Sequence, residues 1–394
     1  MRRIASILFL GAVGACGREA QVTQPVMARS NVRAAISATY VVDTLPSLGG
    51  TSRGSSIVSR GWVAGYSATG GIRHAALWQK DTVIDLGTLG VRSLRSTVQW
   101  LGLNNTGMVV GISQTDVDET RGETWSCAPF LGVVGKRCLG FAWENGQMLP
   151  LPTLGGPNGY AAAVNNRGQV VGWAETAIED ETCNEPQIYG FHAVLWEPKK
   201  GTKRELRPFG DDAASAATAI NQRGQAVGIS GDCDVAVGNY SARHAVLWDR
   251  DQVIEIPNLG GDIWHTPTSI NDSGDVVGFS NPTGVIGRDL IPHAFMWTGG
   301  STSKDLDVLE GDDNSQAFAI NNKRQVVGVS CAGDDCRAFI WENDLMQDLK
   351  RVIAPDFPAV FLSARSITDD GRITGNVLLN NGALRAFVAT PRSR

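Results

Sequence analysis

Five histidines, seven cysteines and forty carboxylates are what this chain offers for chemistry. Histidine titrates nearest neutral pH and serves as general base or metal ligand, so it is the first place to look. Four of the five sit in one repeated setting. His74, His192, His244 and His293 each head the same short run, "HAALW", "HAVLW", "HAVLW" and "HAFMW". A residue copied at a fixed place around a repeat serves the repeat, and these four are read as structural. His265, in "GGDIWHTP", breaks the pattern and is read as a lone surface histidine on a connection, within reach of a ligand. No Ser-His-Asp triad can be assembled, and no catalytic residue is assigned. No phosphate loop is found either, because the glycines fall in turns and not between a strand and a helix. "CAGDDC" has no second cysteine pair and no motif histidine nearby, which argues against zinc. "NDSGD" and "TDDG" look like calcium loops, but their place in the repeat marks them as turns. No metal and no cofactor are expected.

The elements that position these residues come from the repeat. The phrase "AINQRGQAVGIS" returns as "SINDSGDVVGFS" and "AINNKRQVVGVS", with earlier and weaker copies on both sides. The second glycine of each copy falls at Gly65, Gly111, Gly172, Gly228, Gly278, Gly328 and Gly375. Periods of 46 to 61 residues indicate a propeller, a solenoid or an array. One unit reads "SAATAIN", "QAVGIS", "HAVLW" and "QVIEIPNL", four β-prone runs parted by turn residues, with no 3.6-residue periodicity. The tryptophan closing the third run recurs in nearly every unit and is read as packing. The seventh unit stops after "RAFVATPRSR", one strand short, while "TYVVDTLPSLGG" (residues 39–50) looks like an orphan fourth strand ahead of the first unit. Pairing the two removes both bare edges. The expected fold is all-β: a seven-bladed β-propeller of four-stranded antiparallel blades, closed by an N-terminal strand completing the last blade.

"HAFMW", "LGTLG", "SINDSGDVVGFS" and "AINNKRQVVGVS" resemble the HAF-type repeat of bacterial extracellular proteins, over residues 40–390. The departures are Arg324 for the turn glycine, and Val58 and Thr368 for the asparagine. The resemblance implies an exported protein and brings no catalytic residues with it.

Composition agrees with an ordered, exported chain. At 42% hydrophobic residues, 19% charged and net charge −5, it is neither a disordered polymer nor a basic nucleic-acid binder. The start, "MRRIASILFLGAVGACGREA", places two arginines before an apolar run too short to span a bilayer. "VGAC" resembles a bacterial lipobox. The expected organisation is a signal peptide (residues 1–15), lipidated Cys16 and a flexible tether (16–38), then one propeller domain (39–394). The partner so implied is the membrane, through the lipid anchor, and the location is the cell envelope, at the outer membrane or cell surface. The other six cysteines fall between second and third strands. Proximity pairs Cys127 with Cys138 and Cys331 with Cys336, leaving Cys183 with Cys233 on equivalent loops of adjacent units.

Strand alternation puts the loops between second and third strands on one face, beside the blade connections, and the short turns on the other. The loop face is long-looped and acidic. Asp116, Asp118, Glu119, Glu179 and Asp180, with the aromatics Trp125, Tyr189, Tyr240, Trp264 and with His265, are the candidate ligand contacts there. The expected function is a non-catalytic, monomeric binding or scaffold propeller for a protein, peptide or glycan ligand, without a nucleic-acid role. The alternative is an envelope glycosidase or lyase acting on polysaccharide, which needs two converging carboxylates roughly 5 to 9.5 Å apart.

Overall fold

The computed structural model describes residues 40–392 apart from 125–126, 235–237, 286–288 and 354–356. The expected signal peptide, lipidated Cys16 and tether lie outside the described residues. The repeats fold into seven four-stranded antiparallel sheets arranged as a ring, a seven-bladed β-propeller. Blades 1 to 6 span residues 52–85, 96–150, 155–206, 214–256, 266–305 and 314–348. Blade 7 is built from Ala359–Ile367, Ile373–Leu379 and Leu384–Pro391, with Tyr40–Thr44 as its outer strand. That strand pairs antiparallel with Leu384–Pro391, Tyr40 opposite Pro391 and Thr44 opposite Phe387.

The consensus residues turn out to be stitches between blades. Asn221 accepts two backbone hydrogen bonds within its own turn, from Arg223 and Gln225, both at 3.0 Å. Its amide then donates to the Asn271 carbonyl of the next blade at 3.0 Å. The same step runs from Asn104 to Asn165, Asn165 to Asn221, Asn271 to Asn321 and Asn321 to Thr368, making a belt around the axis. The next residue along forms a second, outer belt, each backbone N–H meeting the next blade's side chain, as from Asn166 to Gln222 and Gln222 to Asp272.

Val58 cannot donate, and blade 1 is joined differently. The Arg372 guanidinium bonds to the Ser59 carbonyl, and the Ile57 N–H meets the Ser366 hydroxyl. Arg324 occupies the left-handed turn position that favours glycine, at φ 60°. Its guanidinium reaches Asp275 of the preceding blade at 2.8 and 3.0 Å, an ion pair that offsets the backbone strain.

The other repeated residues behave alike. The indole N–H groups of Trp78, Trp196 and Trp248 donate to Pro46, Pro152 and Arg207, just past the outer strand of the preceding blade. The serine two residues after the repeated glycine receives the N–H of the incoming connection, Leu48 on Ser67, Leu89 on Ser113 and Leu309 on Ser330. Three of the repeated histidines hold a carboxylate on the fourth strand: His74 with Asp85, His192 with Glu205 and His293 with Asp305. His244 takes Asp212 on the incoming connection instead, at 2.9 Å. The bonded carboxylates hold His244 and His293 above the ordinary imidazole value. All four are structural, as the repeat implied.

The three disulfides are those expected: Cys127–Cys138, Cys183–Cys233 and Cys331–Cys336. The second joins blades 3 and 4.

One blade departs from the pattern where it matters. From the serine that opens the inner strand to the residue before the turn asparagine is five steps in blade 4, Ser215 to Ile220, but seven in blade 2, Ser96 to Leu103. Only Ser96 and Thr97 stay in the sheet. The extra length throws Gln99, Trp100 and Leu101 out of register. Leu101 then packs against the cores of blades 3 to 7 at once, which places it on the axis.

Candidate functional site

The second strand is five residues long in blade 5, Val276–Ser280. In blades 2 and 3 it runs for ten, Val109–Asp118 and Val170–Glu179. The surplus forms two arms standing off the loop face, at the sites of the longest insertions. Their tips are apolar and bare: Val117 is 51% exposed, Val134 61% and Ile178 73%. Around them stand acids. Asp118 pairs with Lys136 across its own arm. Arg121 crosses to the other arm, bonding Glu179 and the Tyr189 hydroxyl. The two arms are thus braced into one surface.

Beneath the brace lie two buried carboxyl groups, Glu123 at 4% exposure and Glu175 at 0%. The Asn158 side chain lies between them. Burial pushes both above the usual carboxylate range, and Glu123 drives Glu175 further up. Glu123 accepts from the N–H groups of Ile188 and Tyr189, and Glu175 from Asn158. The Asn158 amide spans both carboxyls at 3.3 Å. These acids fasten the blade 2 loop onto blade 3. They are buried off the axis and saturated with protein donors, so they do not form the open, converging pair that glycoside chemistry needs.

The short helix α1 (Cys127–Leu131) lies further along the same loop. Phe130 packs on Tyr160 of the blade 3 inner strand, ring centroids 4.5 Å apart. Its carbonyl takes the Gln99 amide, and the Leu131 carbonyl takes Arg73 and Arg95. The loop therefore reaches the inner strands from the loop face.

The sequence-expected contacts do not gather in one place. Asp116, Asp118, Glu119, Glu179, Asp180 and Tyr189 gather on the two arms. Within this group Asp116 accepts the Val91 N–H, Glu119 those of Arg121 and Glu123, and Asp180 that of Thr182. Tyr240 is half-buried on blade 4, its N–H on the Asp234 carboxylate that also takes the Asn184 amide of the blade 3 loop. Trp125 lies outside the described residues. Trp264 and His265 require correction, since both are completely buried. Their connection tucks under a turn of blade 4, with the His265 N–H on the Ala242 carbonyl at 2.9 Å. The His265 ring meets Ser280 at 2.8 Å and the Gly261 carbonyl at 3.0 Å. Burial pushes its pKa down to about 4, so it is a neutral core histidine and not a surface contact. Asp180, Cys183 and Cys233 converge like a metal site, but the two sulfurs are joined in a disulfide and offer no thiolate. The arms' apolar tips were missed; their signal is the hydrophobic residue inside an acidic run, "TDVDE" and "TAIED".

No known family model matches the chain, and no curated protein does. Among solved structures it is similar to a catalytically inactive virginiamycin B lyase from Staphylococcus aureus with quinupristin: 10% identity, TM-score 0.47, covering 90% of this chain and 99% of that one. A sialidase from Trypanosoma rangeli is similar at 9% identity and TM-score 0.41, covering 79% of this chain and 58% of that one. Likenesses this distant carry no argument about activity.

Proposed function

We propose that this chain is a non-catalytic binding propeller, tethered to the bacterial envelope through Cys16, whose blade 2 and 3 arms receive a basic, amphipathic segment of a partner protein. The HAF-type resemblance supports export, and the leader supports the anchor. The carrying observation is the juxtaposition on the arms: Val117, Val134 and Ile178 stand bare beside exposed Asp116, Asp118, Glu181 and Glu185. Water-facing apolar side chains on a rim where acids outnumber Arg121 and Lys136 favour an apolar stripe flanked by lysine or arginine. The rest of the polar repeat is consumed in holding blades together, which leaves catalysis little to work with.

The test uses the full chain and a fluorescent 20-residue helical peptide of leucine and lysine, with a leucine and glutamate peptide as control. The parent should prefer the basic peptide, and Val117→Ser with Ile178→Ser should weaken it about tenfold, about 1.4 kcal/mol. Glu181→Lys with Glu185→Lys should slow association and flatten its salt dependence. Equal binding by all three proteins would defeat the proposal. The anchor is tested separately: Cys16→Ser should move the protein out of the membrane fraction.

A further inference from the structure

On the axis, among the inner strands, is a small, partly open cavity of about 20 Å³ lined by Gln99, Trp100, Leu101, Thr268, Phe318 and Arg365. The Arg365 guanidinium lies over the Phe318 ring, 4.0 Å from its centroid, so the cation is stacked on a π face. Its N–H edge makes no hydrogen bond among the described residues. Arg53 stands nearby on the adjoining blade, and its Nε is also buried without a partner. Tyr160 completes the group with a fully buried hydroxyl that bonds to nothing described. Burial and then the Arg53 charge hold Arg365 down at about 10. No carboxylate is among these residues.

This is anomalous in an acidic chain. Arg121, Arg243, Arg324 and Arg337 all find carboxylates. Arg365 and Arg53 are each partly buried, and two neighbouring cations in a confined site with no counter-charge favour an anion between them. The cavity sets the size of that anion. Room of this order admits one water-sized sphere and no polyatomic organic ligand. Leu101 lines both this cavity and the wider pocket on the turn face, and α1 holds the Gln99 side chain on the loop-face side.

We propose that the axial cavity at Arg365 is a binding site for a small monovalent anion of halide size, which supplies the counter-charge for Arg365 and Arg53. The site is independent of the arms and would be filled whether or not a partner is bound.

The experiment is thermal denaturation of the full chain in sodium bromide against sodium gluconate, at constant ionic strength. Melting should rise by roughly 2 °C for each tenfold increase in bromide above its dissociation constant. Arg365→Met should abolish that dependence, and Arg53→Gln should weaken it. Crystals grown in bromide should show anomalous scattering beside the Arg365 guanidinium. Should Arg365→Met fail to fold, Arg53→Gln and the anomalous signal decide the matter. Equal melting of the parent in the two salts overturns the proposal. So does a bromide dependence that survives Arg53→Gln unchanged, or a water at the cavity with bromide only on the outer surface.

Discussion

Removing Tyr40–Thr44 tests how much the N-terminal strand contributes to the ring. A chain beginning at Ser47 loses the outer strand of blade 7 together with Leu45 and Pro46. Tyr40 is 1% exposed within the blade 6 and 7 core, and Leu45 is 9% exposed between blades 7 and 1. The Leu45 N–H to the Ala386 carbonyl goes too, as does the Trp78 indole bond to Pro46. Deleting a buried aromatic and a buried leucine costs about 3–5 and 2–5 kcal/mol in other cores, so a loss of about 6 kcal/mol is a moderate figure. Unfolding entropy scales with length at roughly 2 cal/mol/K per residue, which converts that loss into a fall of about 8 °C. The newly bare strand Leu384–Pro391 would also template association. Calorimetry and light scattering should compare this chain with ones starting at Ile36 and Gly17. The last two should melt alike, and the Ser47 chain should melt lower and aggregate sooner. If all three melt together, the strand does not support the ring and the reasoning fails.

The stitches and the acid pair give two further outcomes. Asn221→Ala removes two bonds it accepts from its own turn and its donations to the Gln225 side chain and the Asn271 carbonyl, so at about 1 kcal/mol per bond it should lower stability by about 4 kcal/mol. Asn166→Ala, in the exposed outer belt, should lower it by about 1 kcal/mol or less, and equal losses in denaturant titrations would refute the belt's role. Glu175 is protonated more readily folded than unfolded, so its contribution is fully present below the unfolded value of about 4.3 and is lost as pH rises through the folded value. Glu175→Gln keeps a neutral group there, and its melting curve from pH 5 to 9 should be flatter than the parent's. Parallel curves would mean the pair holds no proton.

What could be read from residues alone was whatever the chain says seven times. Each copy of the strand and turn pattern tested the others, so local ambiguity averaged out, and the blade count, the structural histidines and the paired cysteines were all legible. The connection holding Trp264 and His265 occurs once, and a buried connection has the composition of an exposed one; hence its burial was not legible. Glu123 and Glu175 meet only because the blade 2 loop folds onto blade 3, and no spacing of residues records that.

The axial arginines are a different case, because the repeat does contain their signal. Measured by cross-strand register, Arg53 stands opposite the residue after the repeated glycine, and so do Thr97, Tyr160, Ala216, Thr266, Gln316 and Ser363 in the other blades. Six blades place an uncharged residue at that level and one places a cation. Arg365 likewise interrupts "SARSI" where blade 4 has Thr218 and blade 5 has Thr268. A repeat makes its own reference for every position, so the informative residue is the one that departs from it without a stitching role. By that rule Gln99 to Leu101, Arg53 and Arg365 all depart, and the structure brings all of them to the axis. Val58, Thr368 and Arg324 depart as well, yet each is absorbed by a neighbouring bond. Departure alone therefore selects too much; departure together with an unmet donor selects the axial cavity, which is why the anion experiment, more than another search for catalytic acids, is the one most able to change the picture of this propeller.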